Sequence, residues 1–395
     1  MTDQPPGRPR PFLLRHAALW LVPLSVIVAL LLLEGALRLF PSLLPAEAQL
    51  KQLWQEQTPV KSVGDPYLGF IYPPHYKAEI ASNDFRFTLD SDEHGFRNAS
   101  PWPDRAEVVV VGDSMAYGWG VEQRESWTTL LDAALPASRV ITLGLPGTTP
   151  QQYARYFEKF GVALRPKIVI FAIFPGNDII DAAVFNRWVA AGSPGNYNVW
   201  RFFEGSVPST AKPLFDRSVL LLSLSSMRKS LLYGFNSRTV TLADGGKLQL
   251  VPSVYGKALE HNDPADGGFQ SIVKATVDAR NRARAIGSQF VVLLFPVKES
   301  IYLPLQGISF AGLVHPLQEV LLNQAGIPSI DMTGPFREWA AKGKQLYFEV
   351  DGHPNALGNQ VVADTVAQYL RANAKAIGLD DWDTGTTQTD LARPR

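Results

Sequence analysis

The chain has 395 residues, of which 46% are hydrophobic and 19% are charged, so it should fold around a large core and is not intrinsically disordered. Lysine plus arginine and aspartate plus glutamate each number 37, so there is no net charge to attract nucleic acid. The chain has no cysteine, which excludes disulfides, thiol catalysis and cysteine-based zinc sites but is compatible with either redox compartment. One α/β domain of roughly 250 to 300 residues with extensions would account for the length.

An apolar run near the N-terminus is the first predicted element. It extends from residue 17 to 33 and continues past Glu34 to residue 40, which is long enough to cross a bilayer. The positive-inside rule places the three preceding arginines in the cytoplasm: Arg8, Arg10 and Arg15. We therefore expect a cytoplasmic tail at 1–16 and a single-pass anchor at 17–38 in a bacterial inner membrane. The rest of the chain would lie on the periplasmic side, with Glu34 at the membrane interface.

A cleaved signal peptide is the alternative interpretation of this run. Ala46-Glu47-Ala48 resembles the small-x-small pattern of a cleavage site. This tripeptide lies rather far from the apolar run, so the uncleaved anchor is the preferred prediction.

Residues 39–104 are predicted to form a stalk followed by a small β-rich lead-in. Short apolar clusters alternate here with proline, glycine and aspartate, for example at 65–69 and 72–74. These residues punctuate turns and do not favour long elements.

From residue 105 the pattern changes to alternating strands and helices. Short apolar strands are predicted at 108–111, 139–143, 167–174, 289–295 and 327–331, with helices at 126–135, 151–160, 271–286, 317–324 and 356–370. Strands that are apolar throughout are typical of a parallel sheet covered on both faces. The predicted domain spans 105–375, with an aromatic-rich insertion at about 180–266 that is long enough to have its own structure. Residues 376–395 are expected to form a disordered tail.

The first candidate for chemistry is Ser114, in the sequence Gly112-Asp113-Ser114. It comes where the first strand of the domain ends and the chain turns toward a helix. In open α/β sheets ligands bind at the carboxyl ends of the strands, so Ser114 is well placed to react. The tripeptide alone also fits a polar turn in which a side chain binds free amides.

The next two strand ends carry candidate donors for an anion. Residues 143–149 form a glycine-bearing turn, and glycine permits a positive φ that leaves an amide N–H free to point at an anion. The third strand ends at Pro175-Gly176-Asn177-Asp178, where the Asn177 amide could donate to the same point. Each segment by itself also fits an ordinary structural loop.

A histidine close to the C-terminus is the fourth candidate. The sequence Asp351-Gly352-His353 precedes the predicted helix at 356–370. A carboxylate on one imidazole nitrogen would fix the tautomer and leave the other nitrogen to accept a serine proton. The alternative is a loop that only caps the helix.

Together these four segments resemble the blocks of the SGNH, or GDSL-type, serine hydrolase superfamily, in the order that the family requires. The resemblance covers most of 105–375 and implies a flavodoxin-like, three-layer α/β/α sandwich with a mainly parallel five-stranded sheet. It implies Ser114 as nucleophile, His353 as base and Asp351 as its orienting acid. The oxyanion hole would comprise the backbone N–H groups of Ser114 and Gly147 and the side chain of Asn177.

Two residues depart from the family pattern. Asp351 lies two residues before His353 where many members have three, and Thr142 stands where an asparagine is common. The shorter spacing is similar to that of the alginate O-acetyltransferase-like branch, whose members act on cell-surface polysaccharides. Residues 69–97 and 295–299 also resemble membrane-attached members, and Lys298 in the second segment is expected to be structural.

The resemblance implies a serine esterase that acts through an acyl-enzyme on carboxylic esters, with O-acetyl groups of an envelope glycan as the expected substrate. A polysaccharide O-acetyltransferase would use the same triad, and a lysophospholipase or lipase or a non-catalytic carbohydrate-binding factor are further alternatives. No metal-ligand cluster or nucleotide loop occurs in the sequence, so no cofactor is predicted. Three aromatic residues after the nucleophile are expected in the core or a lid, with stacking on sugar rings as the alternative: Tyr117, Trp119 and Trp127.

Overall fold

The structure is a computed structural model that describes residues 17–56, 60–135, 139–203, 218–233 and 237–379. The predicted cytoplasmic tail at 1–16 lies outside the described residues, as do 380–395 of the predicted C-terminal tail.

A central sheet of five parallel strands organises the domain. In chain order the strands of the described residues are β1 (Val63–Asp65), β2 (Gly69–Ile71), β3 (Lys77–Ala81), β4 (Arg86–Asp90), β5 (Val108–Val111), β6 (Val140–Thr142), β7 (Ile168–Ile173), β8 (Arg238–Thr241), β9 (Lys247–Leu250), β10 (Gln289–Leu294) and β11 (Ser329–Asp331). The central sheet has the spatial order β11-β10-β7-β5-β6, which is the flavodoxin-like order when its five strands are counted along the chain. The predicted parallel sheet is thereby confirmed.

Helices connect these strands within the described part of the chain. They are α1 (Ala17–Leu39), α2 (Ala46–Glu56), α3 (Ser114–Tyr117), α4 (Trp127–Ala134), α5 (Pro150–Tyr156), α6 (Pro175–Ala190), α7 (Tyr197–Phe203), α8 (Val219–Tyr233), α9 (Gly256–Glu260), α10 (Gly267–Ala285), α11 (Lys298–Tyr302), α12 (Val314–Glu319), α13 (Thr333–Ala341), α14 (Ala356–Ala372) and α15 (Ala374–Ile377). Single 3₁₀ or π turns lie at Pro41–Leu43, Gln123–Glu125, Phe157–Gly161, Val162–Leu164, Pro252–Tyr255, Pro304–Gln306 and Val320–Gln324.

Both faces of the sheet are buried, which explains why its strands are apolar throughout. In β5, Val109 and Val111 belong to one hydrophobic core, whereas Val108 and Val110 belong to the other. Successive side chains of a strand point to opposite faces, so a strand between two helical layers has no solvent-facing side. Helices α5, α6 and α10 contribute to the first core, and α4, α13 and α14 to the second. The predicted three-layer α/β/α sandwich is confirmed.

The lead-in before the sheet consists of two antiparallel hairpins, β1–β2 and β3–β4. Their aromatic side chains Phe70 and Phe87 are fully buried in the first core, together with Phe96. The lead-in therefore contributes side chains to the core of the α/β domain. Helix α2, in the region predicted as a stalk, packs against α8.

The long connection between β7 and β10 contains helices and strands of its own. Residue 180, the predicted start of the insertion, falls inside α6, so the β/α alternation continues as far as Ala190. Beyond it the described residues form α7, α8, the hairpin β8–β9 and α9. The hairpin is antiparallel, and the Gln249 amide donates to the Glu349 carbonyl at 2.8 Å, which ties the connection to the segment before His353.

Helix α1 is long and apolar enough to cross a membrane over Trp20–Leu39, and none of its most apolar stretch is buried. A signal sequence near an N-terminus has the same length and composition. The structure therefore confirms one apolar N-terminal helix of membrane-spanning length.

Candidate active site

The turn after β5 places Ser114 at the carboxyl edge of the sheet. Asp113 caps the short helix α3, because its Oδ1 accepts a hydrogen bond from the Met115 amide at 2.8 Å. Gly112 is required for this turn, since an added Cβ would lie 2.9 Å from the Ala172 carbonyl oxygen. Ser114 is consequently held at the first residue of a helix, with its side chain 7% exposed.

His353 joins Ser114 to Asp351. Its Nε2 lies 2.7 Å from Ser114 Oγ, and its Nδ1 lies 2.5 Å from Asp351 Oδ1. The same Asp351 oxygen accepts the His353 backbone N–H at 2.8 Å, so a turn of two residues brings carboxylate and ring together. The three side chains thus have the connectivity of a serine–histidine–aspartate triad, and the short spacing between the last two is compatible with it.

Opposite pKa shifts accompany the contact between His353 and Asp351. Burial alone would lower the pKa of His353, but the charge of Asp351 and the hydrogen bond to it raise this pKa above the ordinary histidine value. Burial would likewise raise the pKa of Asp351, which is instead lowered by the charge of His353 and by its two hydrogen bonds. The carboxylate therefore stabilises the protonated imidazole that forms when a base accepts a proton.

Two distant residues hold the loop that carries Asp351. The fully buried Lys298 Nζ donates to the carbonyl oxygens of Glu349, Val350 and Asp351, at 3.2, 2.6 and 3.2 Å. From the β3–β4 hairpin, Asp84 Oδ2 accepts the amides of Val350 and Asp351, at 2.9 and 2.5 Å. An ammonium thus binds the carbonyls of three consecutive residues, and a carboxylate binds the backbone amides of the last two of them.

The Lys298→Met variant should change the pH profile as well as the rate. A protonated His353 cannot accept the serine proton, so kcat/KM should fall as the pH decreases, around a pKa above about 6.5. The charge of Lys298 lowers the pKa of His353, so the acidic limb of the variant should move to higher pH. Loss of loop positioning should reduce kcat about 10- to 100-fold.

The exposed lysine at position 274 provides a matched control, Lys274→Met, because its ion pair with Asp278 lies on the surface. Both variants are measured as kcat/KM between pH 5 and 9 after their urea unfolding midpoints have been compared. An acidic limb in Lys298→Met that coincides with that of the wild type would contradict the prediction.

The two remaining predicted site residues lie at the next strand ends. Gly147 has a φ of +74°, in the left-handed region that favours glycine. A Cβ at this position would also displace the guanidinium of Arg201, whose Nη2 would lie 2.2 Å away. The carbonyl oxygen of Gly147 accepts a hydrogen bond from Arg201 Nη1. Asn177 lies in the first turn of α6, and its Nδ2 donates to Asp113 Oδ2 at 3.2 Å.

All five predicted site residues line one cavity of about 870 Å³. Most of the lining is apolar, and it includes residues from α2, α6, α7 and the segment before α9. The cavity's apolar side chains include Leu50, Val60, Met115, Phe174, Val184, Val199, Val251 and Val254. The structure therefore brings Ser114, Gly147, Asn177, Asp351 and His353 together at a hollow large enough for a small organic substrate.

Acidic side chains lie behind the serine. Burial raises the pKa of Asp113 to about 6, although the Met115 amide and His353 act in the opposite direction. Burial and the charge of Asp113 raise the pKa of Asp178, whose Oδ1 accepts the Tyr153 hydroxyl at 2.8 Å. The charge of Asp113 adds to that of Asp351 in raising the pKa of His353.

Arg97, in the lead-in segment that resembles membrane-attached SGNH proteins, supports the chain just after Ser114. Its guanidinium is buried and donates to the carbonyls of Gly118 and Val121, at 2.9 and 2.8 Å. It also lies over the Tyr117 ring, 4.9 Å from the centroid. Arg97 therefore holds the end of α3 in place.

The structure also decides the placement of the other residues of interest. Tyr117, Trp119 and Trp127 are all buried in the cores, as expected, and Trp119 also lines the cavity. Thr142 Oγ1 accepts the Gly144 amide at 3.2 Å and so caps the turn after β6. Asp84 and Arg97 were missed as supports of the site, because nothing in their local sequence identifies the loops that they bind.

Comparisons with known proteins give one family match. A model of the GDSL-like lipase/acylhydrolase family matches residues 110–361, a range that includes all five site residues. No curated protein sequence matches the chain.

Three solved structures are similar to this chain at low sequence identity. A G-D-S-L family lipolytic protein from Veillonella parvula is 14% identical, with 67% of this chain and 97% of that chain covered and a TM-score of 0.35. The acetyl xylan esterase AlAXEase is 11% identical, with 67% and 99% covered and a TM-score of 0.36. Esterase EstA from Pseudoalteromonas is 11% identical, with 68% and 99% covered and a TM-score of 0.34. On the family match across residues 110–361, the chain belongs to the GDSL-like lipase/acylhydrolase family and is an enzyme that hydrolyses ester bonds.

Proposed function

We propose that the chain is a serine esterase of the bacterial cell envelope that hydrolyses O-acetyl esters through an acyl-enzyme. Ser114 is the nucleophile, His353 the general base and Asp351 the residue that orients it. The observation that carries this proposal is the 2.7 Å distance between Ser114 Oγ and His353 Nε2, with Asp351 on the opposite ring nitrogen. A nucleophile, a base and an orienting carboxylate in contact form the arrangement that activates a serine hydroxyl.

In the first half of the reaction, Ser114 Oγ forms a bond to the ester carbonyl carbon while its proton passes to His353 Nε2. The tetrahedral intermediate collapses when the bond to the alcohol oxygen breaks, and His353 gives its proton to that oxygen. In the second half, water attacks the acyl-enzyme and its proton goes to His353. The carboxylic acid leaves and the proton returns to Ser114.

The negative charge of the tetrahedral oxygen would be stabilised by three donors: the backbone N–H groups of Ser114 and Gly147 and the side chain of Asn177. Support comes from their shared lining of one cavity. The Asn177 amide carries two hydrogens, and the contact with Asp113 uses one of them. Asp113 thus orients the amide and leaves its second hydrogen for the oxyanion.

The enzyme is anchored by α1 as a single-pass protein with its catalytic domain on the periplasmic side. The orientation of the span follows from the positive-inside rule, which places the preceding Arg8, Arg10 and Arg15 in the cytoplasm. Retention of α1 is supported by the burial of the alternative cleavage site, because Ala48 is fully buried and Glu47 accepts a hydrogen bond from the Ser253 hydroxyl at 3.1 Å.

Esters of longer acyl chains are the second candidate substrates. The apolar lining of the cavity favours them, since an acetyl group needs little of a hollow of about 870 Å³. If the enzyme is a lysophospholipase or lipase, the acyl chain of its substrate would lie along Val184, Val251 and Val254. The triad and the oxyanion hole would act in the same way on either ester.

The acyl acceptor is the other open feature of the reaction. A sugar hydroxyl in place of water would make the enzyme a polysaccharide O-acetyltransferase, as the two-residue spacing of Asp351 and His353 suggests by its similarity to the alginate O-acetyltransferase-like branch. Trp119 and Tyr255 in the cavity wall offer aromatic faces on which a sugar ring could stack.

The test compares p-nitrophenyl acetate with p-nitrophenyl octanoate, using the full chain in detergent micelles. We expect a higher kcat/KM for the acetate and equal amounts of nitrophenol and free acetate. A higher kcat/KM for the octanoate would favour the longer-chain candidate. If nitrophenol is released only when an oligosaccharide is added, and the acetyl group is recovered on the sugar, the reaction is acyl transfer and not hydrolysis. Absence of turnover on either ester would contradict the proposal.

A further inference from the structure

Helix α8 (Val219–Tyr233) is apolar on two faces. One face is buried: Val219 and Leu222 pack with Leu44 and Ala48 in a small core, with Leu37 of α1 against it. On another face Leu224, Met227 and Leu231 are 55%, 56% and 84% exposed. Their spacing of three and four residues places these three side chains in one stripe. An exposed apolar stripe of this kind marks a surface that contacts a membrane or another protein.

The start of α8 is hydrogen-bonded to the candidate membrane span. Glu34 of α1 accepts the Val219 amide at 3.0 Å and the Leu220 amide at 2.9 Å, and its Oε2 also accepts the Ser218 hydroxyl at 2.9 Å. A carboxylate at these free amides caps the helix and interacts favourably with its dipole. Helix α8 therefore begins beside the last turns of α1.

The depth of Glu34 in α1 sets the level of α8. Glu34 lies five residues before Leu39, the end of the span, which corresponds to about 7.5 Å at 1.5 Å per residue. The polar interface of a bilayer is about 5 to 8 Å thick on each side. An α8 attached at Glu34 therefore begins about 7.5 Å inside the end of the span, on the acyl-chain side of this interface. The exposed Phe40 and Leu43 continue the apolar surface beyond the span.

We infer that α8 lies in the membrane interface, with the stripe of Leu224, Met227 and Leu231 inserted among the lipid acyl chains. The inference rests on the proposed anchoring of the chain by α1. The occupant of this stripe is the bilayer rather than a protein, because α8 packs against a helix of membrane-spanning composition. The exposed Arg228 on the same helix fits anionic headgroups, as is typical of interfacial helices.

This arrangement brings the active-site cavity close to the bilayer. Helix α2 packs against α8, and its residue Leu50 lines the cavity. One helix, about 10 Å across, then separates the cavity from the lipid-bound helix. An ester that partitions into the membrane could reach Ser114 without crossing bulk water.

Single-cysteine variants of the full chain test the inference, because the protein contains no cysteine of its own. Met227→Cys and Leu231→Cys probe α8, Val28→Cys marks the anchor, and Leu322→Cys is a control that is 49% exposed elsewhere. Each is labelled with the fluorophore NBD and reconstituted into phosphatidylcholine–phosphatidylglycerol vesicles containing doxyl-labelled lipid. We expect lipid quenching at 28, 227 and 231 to be at least twice that at 322.

The outcomes separate the inference from the proposals on which it rests. If the label at position 28 is quenched, but the labels at 227 and 231 are quenched no more than the control label at 322, the placement of α8 is overturned and the anchor remains supported. Absence of quenching at 28 would overturn the anchor and the inference together. A blue-shifted label at 227 without lipid quenching would assign the stripe to a second copy of the chain and overturn the inference. Turnover of p-nitrophenyl acetate by the same vesicles tests the esterase activity independently.

Discussion

With p-nitrophenyl acetate, the kcat of the Ser114→Ala variant should be at least about 10⁴-fold lower than that of the wild type. The substitution removes the only oxygen in contact with His353 Nε2 in the described structure, at 2.7 Å, and with it the acyl-enzyme. Because the substitution removes only the hydroxyl oxygen of a small side chain, it should leave the fold unchanged. The measurement is steady-state turnover, with the initial burst of nitrophenol as a second readout.

His353→Ala should cause a loss of similar size, because a triad acts as a unit and the effects of its members are not additive. The double variant should therefore be little worse than either single variant. His315→Ala is a matched control, since that ring is 82% exposed. Retention of more than about a tenth of the wild-type kcat in a folded Ser114→Ala variant would contradict the assignment of the nucleophile.

Asn177→Ala should lower kcat by about 100- to 1000-fold and leave KM nearly unchanged. Loss of one oxyanion donor costs roughly this factor, because the donor binds charge that develops only in the transition state. Asn177 forms no covalent bond, so the burst of acyl-enzyme should be slowed rather than abolished. Rapid-mixing measurements with p-nitrophenyl acetate separate the rate of acylation from KM.

The structural role of Asn177 has to be distinguished from this effect, because its Nδ2 also binds Asp113. Asn281→Ala, at an exposed position of α10, is the matched control for the substitution itself. An increase in KM equal to the loss of kcat/KM, or a much lower unfolding midpoint, would indicate loss of positioning rather than of an oxyanion donor.

Local sequence predicts the sheet and its helices well. The run of four valines after Glu107 became strand β5 of the sheet, and the predicted helix at 356–370 corresponds to α14 (Ala356–Ala372). Such elements are predictable because their apolar pattern depends on burial alone. Helix α13 (Thr333–Ala341) was not predicted, since its glycine and proline in the first turn interrupt the helical pattern.

The candidate site shows the same division. Ser114 and Asn177 were predicted because the strand ends of a parallel sheet meet at one edge, and His353 because an aspartate precedes it by two residues. The order of these segments also resembled a known family. The contacts of the neighbouring residues could not be predicted in this way. Asp84 contacts the Asp351 amide across 267 residues of sequence, and the tie between Glu34 and α8 spans 184 to 186 residues.

The amino-acid sequence by itself determined the fold class and the apolar N-terminal helix, because both depend on short-range patterns of burial and turn formation. The five residues of the candidate site were predicted from the resemblance of four short segments to a known family. The tertiary structure alone decided how these residues are supported. It placed Lys298 and Asp84 on the loop of Asp351, Arg97 behind the turn of Ser114, and α8 against the end of α1. These contacts join buried charges to backbone groups of distant segments, and such pairings arise only when the chain has folded.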